Sequence, residues 1–261
     1  MTTDFFADVE DATPADEAAM LAELTDVLVR DWTFHPRGLQ TAIGCSEIGH
    51  PCGRKLAAKV AGVAPVNSSG DPLPAWTGVA CHSSMQQVFE RENARLGRER
   101  YLLENRVEVG PGLSGSADLF DSDFGRVIDW KFVNPTRLAG YRKSGPPPEY
   151  VVQCQSYGRG FANAGHTVNS VGIVFFPRGG QLAKSHIWTQ PYDPAVGEAA
   201  VARLALIHKV VGDLNLSDPV NHPALMTITT PTPDRNCTYC PYYSAKPPVD
   251  GRAYCDGKFA P

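Results

Sequence analysis

The 261-residue chain is 43% hydrophobic and 20% charged, and no stretch approaches the roughly 18 consecutive apolar residues of a membrane span, which sets aside membrane-spanning, fibrous and disordered classes. Its net charge is −4, yet eight acids and no lysine or arginine fall between Met1 and Asp26, so the remainder holds 24 basic against 20 acidic residues (28 less those eight). An acidic leader before a mildly basic body permits a polyanionic partner that the net charge alone argues against.

The opening residues carry neither a basic segment nor an apolar core, so they do not read as a secretory signal and a cytoplasmic protein is expected. Seven cysteines in that reducing setting point to metal ligands or free thiols rather than disulfides. Residues 1–15 read as a flexible acidic leader. Thr13-Pro14 starts the first expected helix, and Met20, Leu21, Leu24, Val27 and Leu28 carry helical spacing to about Trp32. Cys45 to Val63 reads as a turn and a short helix, 64–74 as a Pro/Gly/Ser loop, and 75–97 as a helix bearing Val79, His82, Met85, Gln86 and Phe89 on neighbouring turns. Three strands follow at 101–109, 113–120 and 126–133, separated by Gly110-Pro111-Gly112 and by 121–125. A helix over 149–164, a buried strand over 168–176, a further strand over 183–190 and a long amphipathic helix over 194–215 complete the order. This alternation, without internal repeat, implies one α/β domain from 16 to 261.

If 113–120 and 126–133 pair about a turn centred between Asp123 and Phe124, Asp118 lies opposite Asp129 and both point to one face. Lys131 shares that face by the period of two, whereas Ile128 and Trp130 point away. Two carboxylates about 5 Å apart repel by about 3 kcal/mol at an effective dielectric of about 20, so the pattern asks for a cation between them. A divalent, oxygen-ligated ion such as Mg²⁺ or Mn²⁺ suits these donors, with Lys131 beside it to orient a water or neutralise charge on a phosphate.

A second constellation lies near the end. Cys237-Thr238-Tyr239-Cys240-Pro241 is a C-x-x-C, and Cys255 follows at a distance. Thiolates so spaced serve zinc or an iron–sulfur cluster, both of which take four ligands. The fourth must come from elsewhere, and Cys45 and Cys52 both qualify.

These residues resemble a family. Gly115-Ser116-Ala117-Asp118 with Ile128-Asp129-Trp130-Lys131 is similar to the G-x-x-D and (D/E)-x-K motifs of the PD-(D/E)XK nuclease superfamily, and in particular of its RecB-like branch of CRISPR-associated and phage-encoded exonucleases. Gly78 to His82 resembles that branch's G-x-x-x-H, Gln153 to Tyr157 its Q-x-x-x-Y, and Ser46 to Lys55 its N-terminal segment ending in C-x-R-K. The likeness implies a restriction-endonuclease-like core, a central mixed sheet flanked by helices, with an iron–sulfur lobe formed by 40–60 and 232–261. It implies a metal-dependent DNA exonuclease acting on single strands or ends in recombination, repair or CRISPR-type processing. His82, Asp118, Asp129 and the Trp130 carbonyl would hold Mn²⁺ or Mg²⁺; Asp118, Asp129, Lys131, Gln153 and Tyr157 would form the catalytic set; Arg54 and Lys55 would meet phosphates. Cys52, followed by Arg54 and Lys55 as in the family, would join Cys237, Cys240 and Cys255 around a [4Fe-4S] cluster, with zinc as the alternative, while Cys81 and Cys154 are expected as buried apolar residues. The family's last two cysteines usually stand closer together than Cys240 and Cys255. Other functions compatible with the sequence are a vestigial nuclease fold that binds DNA ends or a protein partner, and a zinc-stapled DNA-associated factor.

Overall fold

A computed structural model describes residues 13–35, 40–67, 71–228, 230, 237 and 239–257. It divides into two compact units, one within Met1–Gln40 and Gly70–Trp76, the other within Thr41–Ser69 and Thr77–Pro261. The first holds α1 (Pro14–Thr33). The first twelve residues of the expected leader lie outside the described residues. The α1 cap is reciprocal: Thr13 Oγ1 accepts from the Asp16 amide and Asp16 Oδ2 accepts from the Thr13 amide, both at 3.3 Å.

The second unit is built on a five-stranded mixed sheet. Its strands β1 (Tyr101–Gly110), β2 (Leu113–Asp121), β3 (Arg126–Val133), β4 (Ser170–Pro177) and β5 (His186–Pro191) lie side by side in chain order. Neighbours are antiparallel except β3 and β4, which run parallel. Gly125 closes the β2–β3 turn at φ 59°, where a Cβ would stand 2.4 Å from the Thr167 carbonyl oxygen.

A parallel pair needs a crossover, and this one carries α5 (Pro135–Ser144) and α6 (Pro148–Asn163). Helix α5 is absent from the sequence-based expectation. Its ends are well marked, since Asn134 Oδ1 accepts from the Arg137 amide at 2.8 Å and Gly145 ends it at φ 76°. Its apolar stripe is too thin to give a period, because Leu138 is its one buried residue. Helix α6 lies on the sheet: Phe161 stacks on Phe120 with ring centroids 4.4 Å apart, and Gly160 lets the backbones approach so closely that a Cβ there would sit 2.6 Å from Val107 Cβ. Helix α7 (Pro194–Asp213) packs on α6, as does α2 (Cys45–Ile48), and α3 (Gly53–Val60) packs on α7. Helix α4 (Leu73–Leu96) has no fully buried residue and leads into β1.

Strands β1 and β2 change faces in mid-course. Leu102 packs on the core, yet so do Val107 and Val109; Phe120 joins the same core, yet so does Ala117. Each strand therefore switches its inward parity once. The switch falls where Glu104, at φ 47°, stands opposite Asp118, the position at which the pairing between Leu103–Leu119 and Asn105–Ala117 is interrupted. No helix among the described residues is long and apolar enough to cross a membrane.

Candidate metal centre and cysteine cavity

Helix α4 presents His82 to β2. Its Nδ1 lies 3.1 Å from Asp118 Oδ1, and its ring leans on Phe132 at 6.1 Å. The other Asp118 oxygen accepts from the Trp130 amide at 2.7 Å. The hairpin pairs Leu119 with Ile128, Phe120 with Val127 and Asp121 with Arg126, which is the register counted from the sequence, but the ladder stops there. Beyond it the Asp118 carboxylate replaces a backbone carbonyl as acceptor for Trp130. From β1, Glu104 joins this group, and ligand atoms of His82, Glu104 and Asp118 fall within 4.8 Å of one another.

Asp129 is buried beside them. Its Oδ1 accepts from Gln153 Nε2 at 2.9 Å, and Lys131 Nζ lies 2.5 Å from its Oδ2 as an ion pair. The lysine is thus the partner of this buried carboxylate oxygen. Lys131 Nζ also donates to Gln153 Oε1 at 3.3 Å and sits 4.9 Å from the centroid of the Tyr150 ring. The second Gln153 amide proton goes to the Tyr157 hydroxyl at 3.2 Å. One turn of α6 thus links carboxylate, lysine and tyrosine.

Burial pushes the Asp129 carboxyl up to about 6; Lys131 opposes this and the Asp118 charge adds to it. For Lys131, burial works against the proton, but Asp129 and Asp118 outweigh it and hold the ammonium above its ordinary value. His82 follows the same balance: burial lowers its proton affinity, and the hydrogen bond and charge of Asp118, with the charge of Asp129, raise it overall.

Of the expected ligand set of His82, Asp118, Asp129 and the Trp130 carbonyl, His82 and Asp118 come together and Glu104 joins them; Asp129 pairs with Lys131, and the Trp130 amide donates to Asp118. Three carboxylates and an imidazole gathered about one lysine are donors that suit a hard divalent ion.

The chain ends meet in a second cavity, lined by Cys52, Cys237, Cys240 and Cys255 together with His50, Arg54, Lys55 and Tyr242. Amides of Val66 and Asn67 donate to the Pro241 carbonyl at 2.8 and 2.9 Å, and Arg252 Nη1 donates to the Pro65 carbonyl at 2.7 Å. Backbone amides also point at sulfur: Lys55 N to Cys52 Sγ and Gly257 N to Cys255 Sγ, each 3.4 Å. Among the described residues, no three of the cavity's sulfurs lie within 4.8 Å of one another. Cys45 is elsewhere, buried against Gly115 and Tyr157 in the core, where burial pushes its thiol up to about 12. Cys154 is buried too, whereas Cys81 is half-buried on α4 rather than enclosed.

Arg54 corrects a sequence-based expectation. It is 2% exposed and cannot reach a phosphate from solvent. Its guanidinium donates to Cys255 Sγ at 3.1 Å and to the Met226 and Ile228 carbonyls at 2.9 and 3.0 Å, so it braces the cysteine cavity from within.

No protein-family model matches the sequence, and no curated protein matches it. Several solved structures resemble the fold. An alkaline exonuclease from Laribacter hongkongensis aligns with a TM-score of 0.46 at 16% identity, over 67% of this chain and 92% of that one. The same enzyme in complex with dAMP aligns with a TM-score of 0.45 at 15% identity, over 66% and 89%. A phage-related exonuclease from Haemophilus somnus 129PT aligns with a TM-score of 0.45 at 13% identity, over 67% and 95%.

Glu104 is the site residue that spacing does not reveal. The one trace in the sequence is the broken alternation of Leu102-Leu103-Glu104-Asn105, which interrupts the period of β1.

Proposed function

We propose that this chain is a metal-dependent deoxyribonuclease of the PD-(D/E)XK type, an exonuclease acting on single-stranded DNA or DNA ends. The observation that carries the proposal is the group of His82, Glu104, Asp118 and Asp129 with Lys131 and Gln153, in which both aspartates are buried and three carboxylates gather about one lysine. His82, Glu104, Asp118 and Asp129 would be the donors for Mn²⁺ or Mg²⁺, the imidazole favouring Mn²⁺. Such an ion supplies charge for a phosphodiester and lowers the pKa of a bound water. Lys131, held protonated by its neighbours, binds the scissile phosphate or the water beside it. Gln153 fixes Lys131 and Asp129 relative to each other, and Tyr157 fixes Gln153.

For the second cavity we infer a [4Fe-4S] cluster on Cys52, Cys237, Cys240 and Cys255. Four thiolates on one zinc at 2.3 Å stand about 3.8 Å apart, whereas a cluster seats each on its own iron and holds them wider. The gathering of the four cysteines at one cavity and the amides aimed at Cys52 and Cys255 support a site for such a group.

The test is degradation of end-labelled single-stranded DNA with added Mn²⁺, abolished by EDTA. Asp129→Ala is expected to remove cleavage and leave the circular-dichroism spectrum unchanged. Cleavage that persists in this variant would overturn the assignment.

A further inference from the structure

Acids are scarce in one stretch of the chain. Between Asp129 and Asp193 the sequence carries a single acid, Glu149, against seven lysines and arginines, in a protein whose net charge is −4. Most of these residues gather at one place in the fold. Arg137, Arg142 and Lys143 are exposed on α5, and Lys184 is exposed on the 3₁₀ turn Leu182–Lys184 that follows β4. The Arg142 guanidinium donates to the Lys184 carbonyl, and the Arg178 amide donates to Val133 at 2.8 Å, so the helix and the turn form one surface at the ends of β3 and β4.

That surface is continuous with the candidate centre. Lys131 Nζ lies over the Tyr150 ring at 4.9 Å; Tyr150 meets Tyr141 of α5 edge to face at 6.2 Å; Tyr141 rests on Phe175 of β4 at 4.7 Å. Two tyrosines therefore bridge the active-site lysine to the basic helix, with Glu149 the single acid along the way. Among the described residues, Arg137, Lys143 and Lys184 form no ion pair within 4.0 Å.

We propose that α5 and the Leu182–Lys184 turn form the track that holds the DNA strand flanking the scissile bond, through its phosphates and without reading bases. A chain of monoanions at regular spacing matches exposed cations arrayed outward from the half-buried Lys131. The proposal rests on the nuclease reading for the identity of the polyanion, and it moves the phosphate contacts from Arg54 to a helix that the sequence did not reveal.

The experiment uses the full chain in EDTA with a fluorescent oligodeoxynucleotide, measuring affinity by anisotropy over a salt series. Two variants are compared with wild type: Arg142→Gln/Lys143→Gln/Lys184→Gln, and Lys143→Glu/Lys184→Glu, which touches no hydrogen bond of the fold. Both are expected to weaken binding at least about tenfold. In the triple variant the slope of log K against log salt is expected to fall by about 2, from about 0.7 per lost single-strand phosphate contact. With Mn²⁺, both should hydrolyse the small ester thymidine 5′-(p-nitrophenyl phosphate) as wild type does, since it does not reach α5. Unchanged DNA affinity and salt slope in both variants would overturn the track and leave the nuclease reading standing. Weakened DNA binding in both variants, with a wild-type protein that hydrolyses neither DNA nor the ester, would keep the track and remove the nuclease reading. Tighter binding of RNA of the same sequence, or of poly-glutamate, would overturn the assignment to DNA.

Discussion

Asp129 shows how burial and chemistry pull against each other at a single residue. Its carboxyl is pushed up to about 6 from an ordinary 3.8, so the folded chain retains a proton that the unfolded chain has released. Stability of the metal-free protein is therefore expected to fall as pH rises from about 4 to about 6, by at most about 3 kcal/mol, and to level off above that. Urea midpoints in EDTA at both ends of this window test the sign, and Asp129→Asn should flatten that part of the slope; an equal slope in the variant would refute the burial account. A bound divalent ion reverses the preference by favouring the ionised carboxylate. Glu104 is the counterpart on β1: a non-glycine residue at φ 47° in mid-strand costs about 1–2 kcal/mol, which the sheet around it must offset.

At the scale of elements, much of the scaffold was legible from the chain. Strand β3 has the bounds expected from its Val-Ile-Asp-Trp pattern, and the β2–β3 register follows from the centre of the Asp121–Gly125 turn. Both rest on local signals, strand period and turn chemistry. What escaped depends on partners distant in sequence. The α5 helix is held by one buried leucine and its caps, and the face switch of β1 and β2 arises from two strands distorted together, which no single-strand pattern encodes. The same limit applies to Arg54: a C-x-R-K motif does not say that its arginine turns inward to Cys255 and the Met226 and Ile228 carbonyls. The seat of α6 is a stricter case. Gly160→Ala adds a methyl group that would meet Val107, and it is expected to cost about 1–3 kcal/mol and lower the melting temperature despite alanine's better helix propensity. Because Gln153 sits on the same helix, a displaced α6 should also slow cleavage, which a parallel nuclease assay would show.

For the whole molecule, the cysteine cavity joins segments almost two hundred residues apart, with Asn67 Nδ2 on the Cys240 carbonyl and Arg54 on Cys255 among the links. A cofactor closing so long a loop gains stability chiefly by restricting the unfolded chain. Cys240→Ser is expected to lose visible absorbance and bound iron together and to melt earlier than wild type. A colourless wild-type preparation containing zinc would refute the cluster.

The uneven placement of charge has a consequence for encounter with DNA. The whole chain carries −4, yet α5 and the turn after β4 present Arg137, Arg142, Lys143 and Lys184 with no acid among them. At physiological salt a field is screened over about 8 Å, so such a patch acts on a polyanion only at short range. On the proposed track, a strand would be held in one orientation and released when that orientation is lost, and turnover on long substrates is expected to depend on repeated rebinding.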